Sequence, residues 1–462
     1  MRQFDAIIIG SGQGGTPLAK KLAKQGWKTA LIEKQWVGGT CVNVGCTPTK
    51  TMIASAKTAY AVTQAAKYGV HTDGCTINMQ EVLDRKNKVV ESFRRGSQNG
   101  LEHTENLDLI FGTASFVADK TLKVALNDGG EEEIKGDKIF IDVGTRASIP
   151  GIDGLNEAGY FTSTTLMELQ QVPEHLLVIG GGYIGLEFGQ MYRRFGSKVT
   201  ILEHGARFLP REDEDIAAEV LKFLHEEEIE IFTNAQVNSV KGKPGNIKAT
   251  ALVKGEEKTF SCSHILIAAG RTPNTDLLNV EAAAIKTNER GYIEANDKLE
   301  TSAKGVYVIG DAKGGPEFTH IAYNDYIILY NNLIEEKQES IKDRMVPYTM
   351  FTDPQLGRVG ITEQQARDTG LNIKVAKLPM ANVARAIETG DTRGLMKAVV
   401  DAESGVILGV AIVGQEGGEM MSVLQMAMAG GITWQQIKDM IFAHPLYAES
   451  LNNLFMKLED ES

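Results

Sequence analysis

Hydrophobic residues run along this chain in short blocks that stop at glycine. The first block, Phe4-Asp5-Ala6-Ile7-Ile8-Ile9, is apolar and β-branched, the pattern of a buried parallel strand. It meets Gly10-Ser11-Gly12-Gln13-Gly14-Gly15, then Leu18 to Gln25 at helical spacing, with Gly26 placed as a C′ residue. A second strand, Thr29-Ala30-Leu31-Ile32, closes on Glu33. The same order returns later. Leu176-Leu177-Val178-Ile179 leads into Gly180-Gly181-Gly182-Tyr183-Ile184-Gly185, a helix reaching Phe195-Gly196, the strand Val199-Thr200-Ile201-Leu202, and Glu203. Each acid follows its first glycine by 23 residues (33 − 10 and 203 − 180). Further strand-like runs are Lys138 to Val143 before Gly144, His264 to Ala269 before Gly270, and Gly305 to Ile309 before Gly310-Asp311. From about residue 346 the texture becomes an α+β mixture without such a fingerprint. It contains Leu395 to Val400, Val406 to Val413 and a methionine-rich helix around Met420 to Met428, suited to core or subunit interface.

One glycine-rich turn is a weak signal; two complete strand–turn–helix–strand–acid units are a strong one. The glycines let backbone N–H groups approach a pyrophosphate at the positive end of a helix, and the acid accepts from ribose hydroxyls. Two units therefore imply two dinucleotides. Glu203 as a carboxylate favours NADH, because it repels a 2′-phosphate; Arg207 and Arg211 just downstream keep NADPH open.

The length, 462 residues, suggests roughly three domains. With 42% hydrophobic and 23% charged residues the chain has ordinary globular composition. There are 60 acidic against 48 basic residues, a net charge of −12, and no basic patch, which speaks against nucleic acid as a partner. Glu131-Glu132-Glu133 and Glu226-Glu227-Glu228 read as solvated surface. No run approaches the apolar length of a membrane span, and the N-terminal residues lack a signal-peptide pattern. Four cysteines are too few to staple a chain of this size, so a cytoplasmic location is expected. Glycine is abundant, 48 against 12 prolines, as where backbone approaches a ligand closely.

Cys41 and Cys46 lie in Gly38-Gly39-Thr40-Cys41-Val42-Asn43-Val44-Gly45-Cys46-Thr47-Pro48-Thr49-Lys50, just after Glu33. Five residues of regular helix rise about 7.5 Å, more than the roughly 7 Å a disulfide spans. If the two pair, the backbone is distorted, and Gly45 permits that; otherwise they are two free thiols. A helix N-terminus would favour thiolate. Cys75 and Cys262 stand without partners at a telling spacing and read as structural.

These features together resemble the FAD-dependent pyridine nucleotide–disulfide oxidoreductases. The motifs are the first fingerprint, Gly39-Thr40-Cys41 through Lys50, the second fingerprint, Thr301 to Gly310-Asp311, Phe351-Thr352-Asp353-Pro354, and His444-Pro445 with Glu449. The resemblance implies an α/β chain with two Rossmann-like domains and a C-terminal α+β dimerisation domain. Residues 1–148 with 271–345 would bind FAD, 149–270 would bind NAD(P), and 346–462 would form the interface. For FAD it implicates Gly10, Gly12, Gln13, Gly14, Gly15, Glu33, Lys34, Gly39, Thr40, Lys50, Thr113, Ala114, Gly144, Thr145, Gly310 and Asp311. Glu317, Phe318, Thr319 and His320 would open a helix facing the flavin's pyrimidine edge. For the nicotinamide dinucleotide it implicates Gly180, Gly182, Tyr183, Ile184, Gly185, Glu203, Val237 and Gly270, with Tyr183 as an aromatic gate. Lys50 and Glu187 would stand beside the flavin where hydride arrives. Cys46 would be the thiol against the flavin and Cys41 the one meeting substrate. His444 and Glu449 would come from the partner subunit, so the enzyme would be a homodimer acting on a small oxidised substrate, with no metal of its own.

Within that family, Phe318 to Asp325, Ala384-Arg385-Ala386 and Asp391 to Gly394 look most like the mercuric reductase branch. Mercuric reductases, however, end in a vicinal cysteine pair and lack the histidine at 444, whereas this chain ends Lys457-Leu458-Glu459-Asp460-Glu461-Ser462. The His–Glu pair suits a disulfide or oxidised-thiol substrate. Dihydrolipoamide dehydrogenase, a metal-ion reductase and a non-catalytic dinucleotide-binding scaffold are the alternatives.

Overall fold

In the computed structural model, which describes residues 1–459, the apolar run at the N-terminus becomes the strand Arg2–Ile9. It pairs in parallel with Thr29–Glu33 on one side and with Glu131–Ile141 on the other. Ala6, Ile7 and Ile8 are fully buried: Ala6 and Ile8 share a core with the helix residues Leu18, Leu22 and Leu329, while Ile7 shares one with the strand residues Phe116, Leu122 and Val124. Leu107–Ala118 and Val306–Val308 extend the sheet outward. Two long strands serve twice: the outer parts of Leu107–Ala118 and Glu131–Ile141 clasp Thr121–Leu126 in an antiparallel meander.

Register decides where ligands can sit. Ile9 stands level with Ile32 and Ile141, and Val308 with Ile141. The residues that follow (Gly10, Glu33, Asp142 and the turn at Gly310) therefore leave the sheet along one edge, the carboxyl edge at which open parallel sheets bind ligands.

The second unit repeats this. His175–Ile179 lies between Lys198–Leu202 and His264–Ile267, with Ile179 level with Leu202 and Ile267, so Gly180 and Glu203 emerge together. A three-stranded antiparallel sheet, Ala235–Lys243, Asn246–Val253 and Glu256–Cys262, packs beside it around a shared core. Thr145–Ala147 and Arg271–Pro273 pair antiparallel where the chain passes between the two units.

The C-terminal part is a five-stranded antiparallel sheet covered by the helix Gly417–Ala429. That helix buries Met420, Met421 and Leu424 and leaves Val423 and Met426 exposed. Met440, Ile441 and Leu446 are exposed as well, an apolar content that marks a contact surface.

Two sequence expectations need correction. Glu227 is not solvated surface: it is buried, 2.7 Å from Arg194 and 2.9 Å from Arg393. The guanidinium of Arg194 stacks 4.0 Å from the Tyr60 ring, and a buried cation of this kind needs a buried acid. Cys75 is exposed and so holds no core together, whereas Cys262 is buried. Of the C-terminal stretch Lys457 to Ser462, residues 460–462 lie outside the described residues. No helix among those described is long and apolar enough to cross a membrane.

Candidate active site

The thiol segment is built from two helices with a break between them. Gly38, at φ 103°, opens the short helix Gly39–Asn43, and a new helix starts at Cys46 and runs to Gln64. Gly39, at φ 60°, lies so close to the first fingerprint that a Cβ there would sit 2.8 Å from the Gly12 Cα. Only glycine lets the two segments meet. At the break, a Cβ on Gly45 would stand 2.7 Å from the Thr40 carbonyl oxygen. The distortion that pairing across five residues would need is thus present, and it brings the free thiols of Cys41 and Cys46 within mutual hydrogen-bonding reach. Asn43 holds the short helix, donating to Val37 O at 3.0 Å and Gly39 O at 2.9 Å while accepting from Arg94 at 2.7 Å.

The two sulfurs are electrostatically unequal. Cys46 is the first residue of its helix, and its Sγ lies 3.4 Å from the Thr319 hydroxyl. The Cys41 thiol donating to it, then the Thr319 hydroxyl and the Lys50 charge, pull its pKa down to about 6 against the opposing effect of burial. Cys41 moves up, because it donates to the Cys46 sulfur and is itself desolvated. In the dithiol form the negative charge therefore rests on Cys46 above about pH 6 and is lost below it. With flavin bound and oxidised, the long-wavelength absorbance of a thiolate beside it should fade as pH falls through that value. A band constant to well below pH 5 would contradict this assignment of charge.

One helical turn after Cys46, Lys50 reaches Glu187 across 137 residues of sequence, Nζ to Oε2 2.7 Å. Glu187 is buried, its other oxygen accepts from the Phe351 backbone N–H at 2.8 Å, and the Lys50 ammonium lies 4.6 Å over the Phe351 ring. A row of rings runs alongside. Tyr183 packs on Tyr348 at 5.4 Å, Tyr348 on Phe318 at 5.6 Å, and Phe318 on His320 at 5.3 Å. His320 donates from Nε2 to the Pro347 carbonyl at 2.6 Å, and desolvation holds its pKa down.

The first dinucleotide cradle is ordered by carboxylates. Glu33 accepts from the Ser11 N–H and hydroxyl and from the Gln35 N–H, fixing the turn on which Gly12 and Gln13 sit. Gln13 donates to Gly38 O at 3.4 Å, tying that turn to the thiol segment around Thr40. The N-cap residue Gly14 caps its helix with no side chain, but the Gly15 N–H goes to Asp142 and the Thr16 N–H to the Gly12 carbonyl, so an anion would meet the glycine turn rather than the first N–H groups of the helix. Asp311 accepts from Thr145 at 3.2 Å through one oxygen; the other has no protein partner among the described residues, as a hydroxyl-binding acid requires. The helix after Glu317 and Phe318 is also uncapped. Glu317 itself accepts from Tyr292 at 2.8 Å. Thr113 and Ala114 follow the residue level with Glu33 in the neighbouring strand, and the exposed Lys34 gives its carbonyl to Asn127. Gly144 accepts from the Asn274 N–H at 3.0 Å. These donors and acceptors, with the open helix end at Thr319, fit FAD.

The second cradle is equivalent. Glu203 takes the Gly181 and Gly205 N–H groups, each at 2.7 Å, and the helix beginning at Tyr183 is uncapped next to exposed Gly182 and Ile184. Gly185 packs against the Gly180 carbonyl inside the turn. Val237 lies two residues beyond Ala235, whose N–H binds Glu203 O, and Gly270 takes the Ser148 N–H. These residues fit a nicotinamide dinucleotide.

Three acids were not singled out from sequence. Asp142 is buried, accepts from the Gly15 N–H at 2.7 Å, and has its pKa pushed well up by burial. Its one signal was an acid closing a third apolar strand, as Glu33 closes the second. Asp325, fully buried, takes the Gly310 N–H, Lys313 and Arg344, and so fixes the turn that presents Asp311. Glu212 accepts from Tyr183 and Tyr348 and pairs with Arg358. Neither Asp325 nor Glu212 sits in a readable local pattern.

His444 and Glu449 form a pair of their own, Nδ1 to Oε2 2.9 Å. The carboxylate accepts, so Nδ1 carries the proton and Nε2 points away. The His444 side chain is 69% exposed beside the apolar surface of Ile441 and Leu446. Among the described residues it bonds to neither cysteine.

Residues 4–325 match the pyridine nucleotide-disulphide oxidoreductase family, and residues 346–455 match that family's dimerisation domain. The chain is 40% identical over 459 residues to the probable pyridine nucleotide-disulfide oxidoreductase RclA of Escherichia coli (strain K12), covering 98% of this chain and 99% of that one. It is 33% identical to a mercuric reductase of Staphylococcus aureus, covering 97% of this chain and 81% of the relative. A Cu(II) complex of the HOCl-induced flavoprotein disulfide reductase RclA from Escherichia coli superposes with a TM-score of 0.90 at 39% identity, covering 99% of each chain.

Proposed function

Since this chain belongs to the pyridine nucleotide-disulphide oxidoreductase family, we propose specific roles for its own residues and a thiol oxidant as its substrate. It is a flavoprotein disulfide oxidoreductase that uses FAD and NAD(P)H, and its dimerisation domain supports a homodimer. FAD supplies a ring that accepts hydride from the nicotinamide and passes the electron pair to a disulfide.

The first unit, with residues 1–148 and 271–345, holds FAD; the second, 149–270, holds the nicotinamide dinucleotide; and 346–462 builds the interface. The Lys50 ammonium, oriented by Glu187, stabilises charge where hydride arrives. The reduced pair holds its charge on Cys46, leaving Cys41 protonated and in need of a base. The partner subunit's His444 takes that proton through Nε2, while Glu449 fixes the tautomer and stabilises the imidazolium. Cys41 then attacks the oxidised sulfur of the substrate. The leaving group receives the proton, and Cys46 displaces the bound product thiol to close Cys41–Cys46 again.

The observation carrying this reading is the Gly45 break, which sets two unequal thiols beside Thr319, in a chain that also keeps the His444–Glu449 pair. The relative's Cu(II) complex makes copper the natural competitor. A panel of lipoamide, glutathione disulfide, hypothiocyanous acid, Hg(II) and Cu(II), run with NADH and NADPH, tests the proposal. A sulfur oxidant should show the highest kcat/KM, with NADH preferred because Glu203 repels a 2′-phosphate. Hg(II) or Cu(II) exceeding every sulfur oxidant would overturn the substrate class. NADPH ahead of NADH by about tenfold, or about 1.4 kcal/mol, would overturn the reading of Glu203.

A further inference from the structure

Glu212 is a buried acid that accepts from three donors. Its Oε1 takes the Tyr183 hydroxyl at 2.7 Å and the Tyr348 hydroxyl at 2.5 Å, and its Oε2 lies 3.0 Å from Arg358 Nη1. Its side chain has no exposure, and that of Arg358 has 5%. Burial, reinforced by the Glu212 charge, raises the pKa of both phenols, so both remain donors.

The three donors are not alike. Tyr348 and Arg358 stand on paired strands of the C-terminal sheet, Tyr348 level with Arg358, and form a fixed wall. Tyr183 is the first residue of the helix after the second fingerprint and is only half-buried. It lies four residues before Glu187, on the same helix face. A dinucleotide laid from the Gly180–Gly185 turn towards the Lys50–Glu187 pair therefore crosses the Tyr183 ring. If that ring swings away, Glu212 still has Arg358 and Tyr348, so the bond can break and re-form without leaving a buried charge unpaired.

We propose that Glu212 is a latch on Tyr183: it holds the ring closed over the path to Lys50–Glu187, and the nicotinamide dinucleotide enters by breaking the Tyr183–Glu212 hydrogen bond. Glu212 is on this account a positioning residue, and the inference rests on the proposed reading of Tyr183 as a gate. Apparent affinity scales with the population of the open state, so the latch weakens dinucleotide binding by the bias it places on closure. A hydrogen bond to a charged group is typically worth about a factor of ten or more in such an equilibrium.

The test is anaerobic rapid mixing of the FAD-loaded enzyme with NADH over a range of concentrations. It separates the apparent Kd from the limiting rate of flavin reduction. Tyr183→Phe keeps the ring and removes the bond, so Kd should fall by about tenfold, with the change concentrated in Kd rather than in the limiting rate. Tyr348→Phe leaves Oε1 to Tyr183 alone, so Kd should hold or rise. An unchanged or raised Kd in Tyr183→Phe, or a fall of equal size in Tyr348→Phe, would overturn the latch. Tyr183→Ala tells this failure from that of the parent reading. If it alters Kd or the limiting rate while Tyr183→Phe does not, the gate stands and the latch falls; if it alters neither, Tyr183 is no gate.

Discussion

Exchange of Cys41 or Cys46 for serine should each stop reduction of a sulfur oxidant, by about 10³-fold or more, the scale of losing a covalent nucleophile. The two variants should differ in absorbance. Cys41→Ser keeps the sulfur that faces Thr319 and carries the charge, so thiolate absorbance beside the oxidised flavin should persist. Cys46→Ser removes the sulfur beside Thr319 and leaves only Cys41, whose thiol is still disfavoured from ionising by desolvation, and the band should vanish at neutral pH. Flavin reduction by NADH should continue in both, since the Lys50–Glu187 ion pair is made without a hydrogen bond from either sulfur. A band present in both variants would contradict this assignment of the two sulfurs.

The second large effect concerns the interface. His444→Ala should lower turnover with the same oxidant by about 10²–10⁴-fold, the usual contribution of positioned proton transfer. The loss should lie wholly in the oxidative half-reaction, because His444 acts on Cys41 and on the departing thiol. Rapid mixing separates the two halves, with NADH in one syringe or prereduced enzyme against oxidant in the other. Glu449→Gln should show a smaller loss in that same half, since it keeps a hydrogen-bonding side chain beside His444 Nδ1 but loses the charge that stabilises the imidazolium. Slowed flavin reduction in His444→Ala would place this histidine elsewhere in the mechanism.

The fold was legible where one backbone requirement dictates several residues at fixed spacing. Gly10, Gly12, Gly15 and Glu33 all serve one turn, and the same is true from Gly180 to Glu203. Gly45 was legible for a similar reason, because pairing two thiols across five residues would demand a break in the helix. Pairing over long separations was not readable from local pattern. Asp142 meets Gly15 across 127 residues, and Arg358 meets Glu212 across 146, so only sheet register and domain packing reveal them. Glu227 misled because a run of three glutamates looks solvated until Arg194 and Arg393, distant in sequence, surround the middle one. His444 had a visible partner in Glu449, but its exposure and its separation from the cysteines within one chain are facts of the folded subunit.

The account rests on electrons leaving the flavin for the Cys41–Cys46 pair before they reach substrate. An anaerobic reductive titration with dithionite tests this most directly, comparing the FAD-loaded wild type with the Cys41→Ser, Cys46→Ser double variant. The wild type should take up twice the electrons per flavin that the double variant does, with thiolate absorbance rising and then falling as reduction proceeds. Equal uptake by the two proteins would show that the cysteine pair stores no electrons, and would contradict the account.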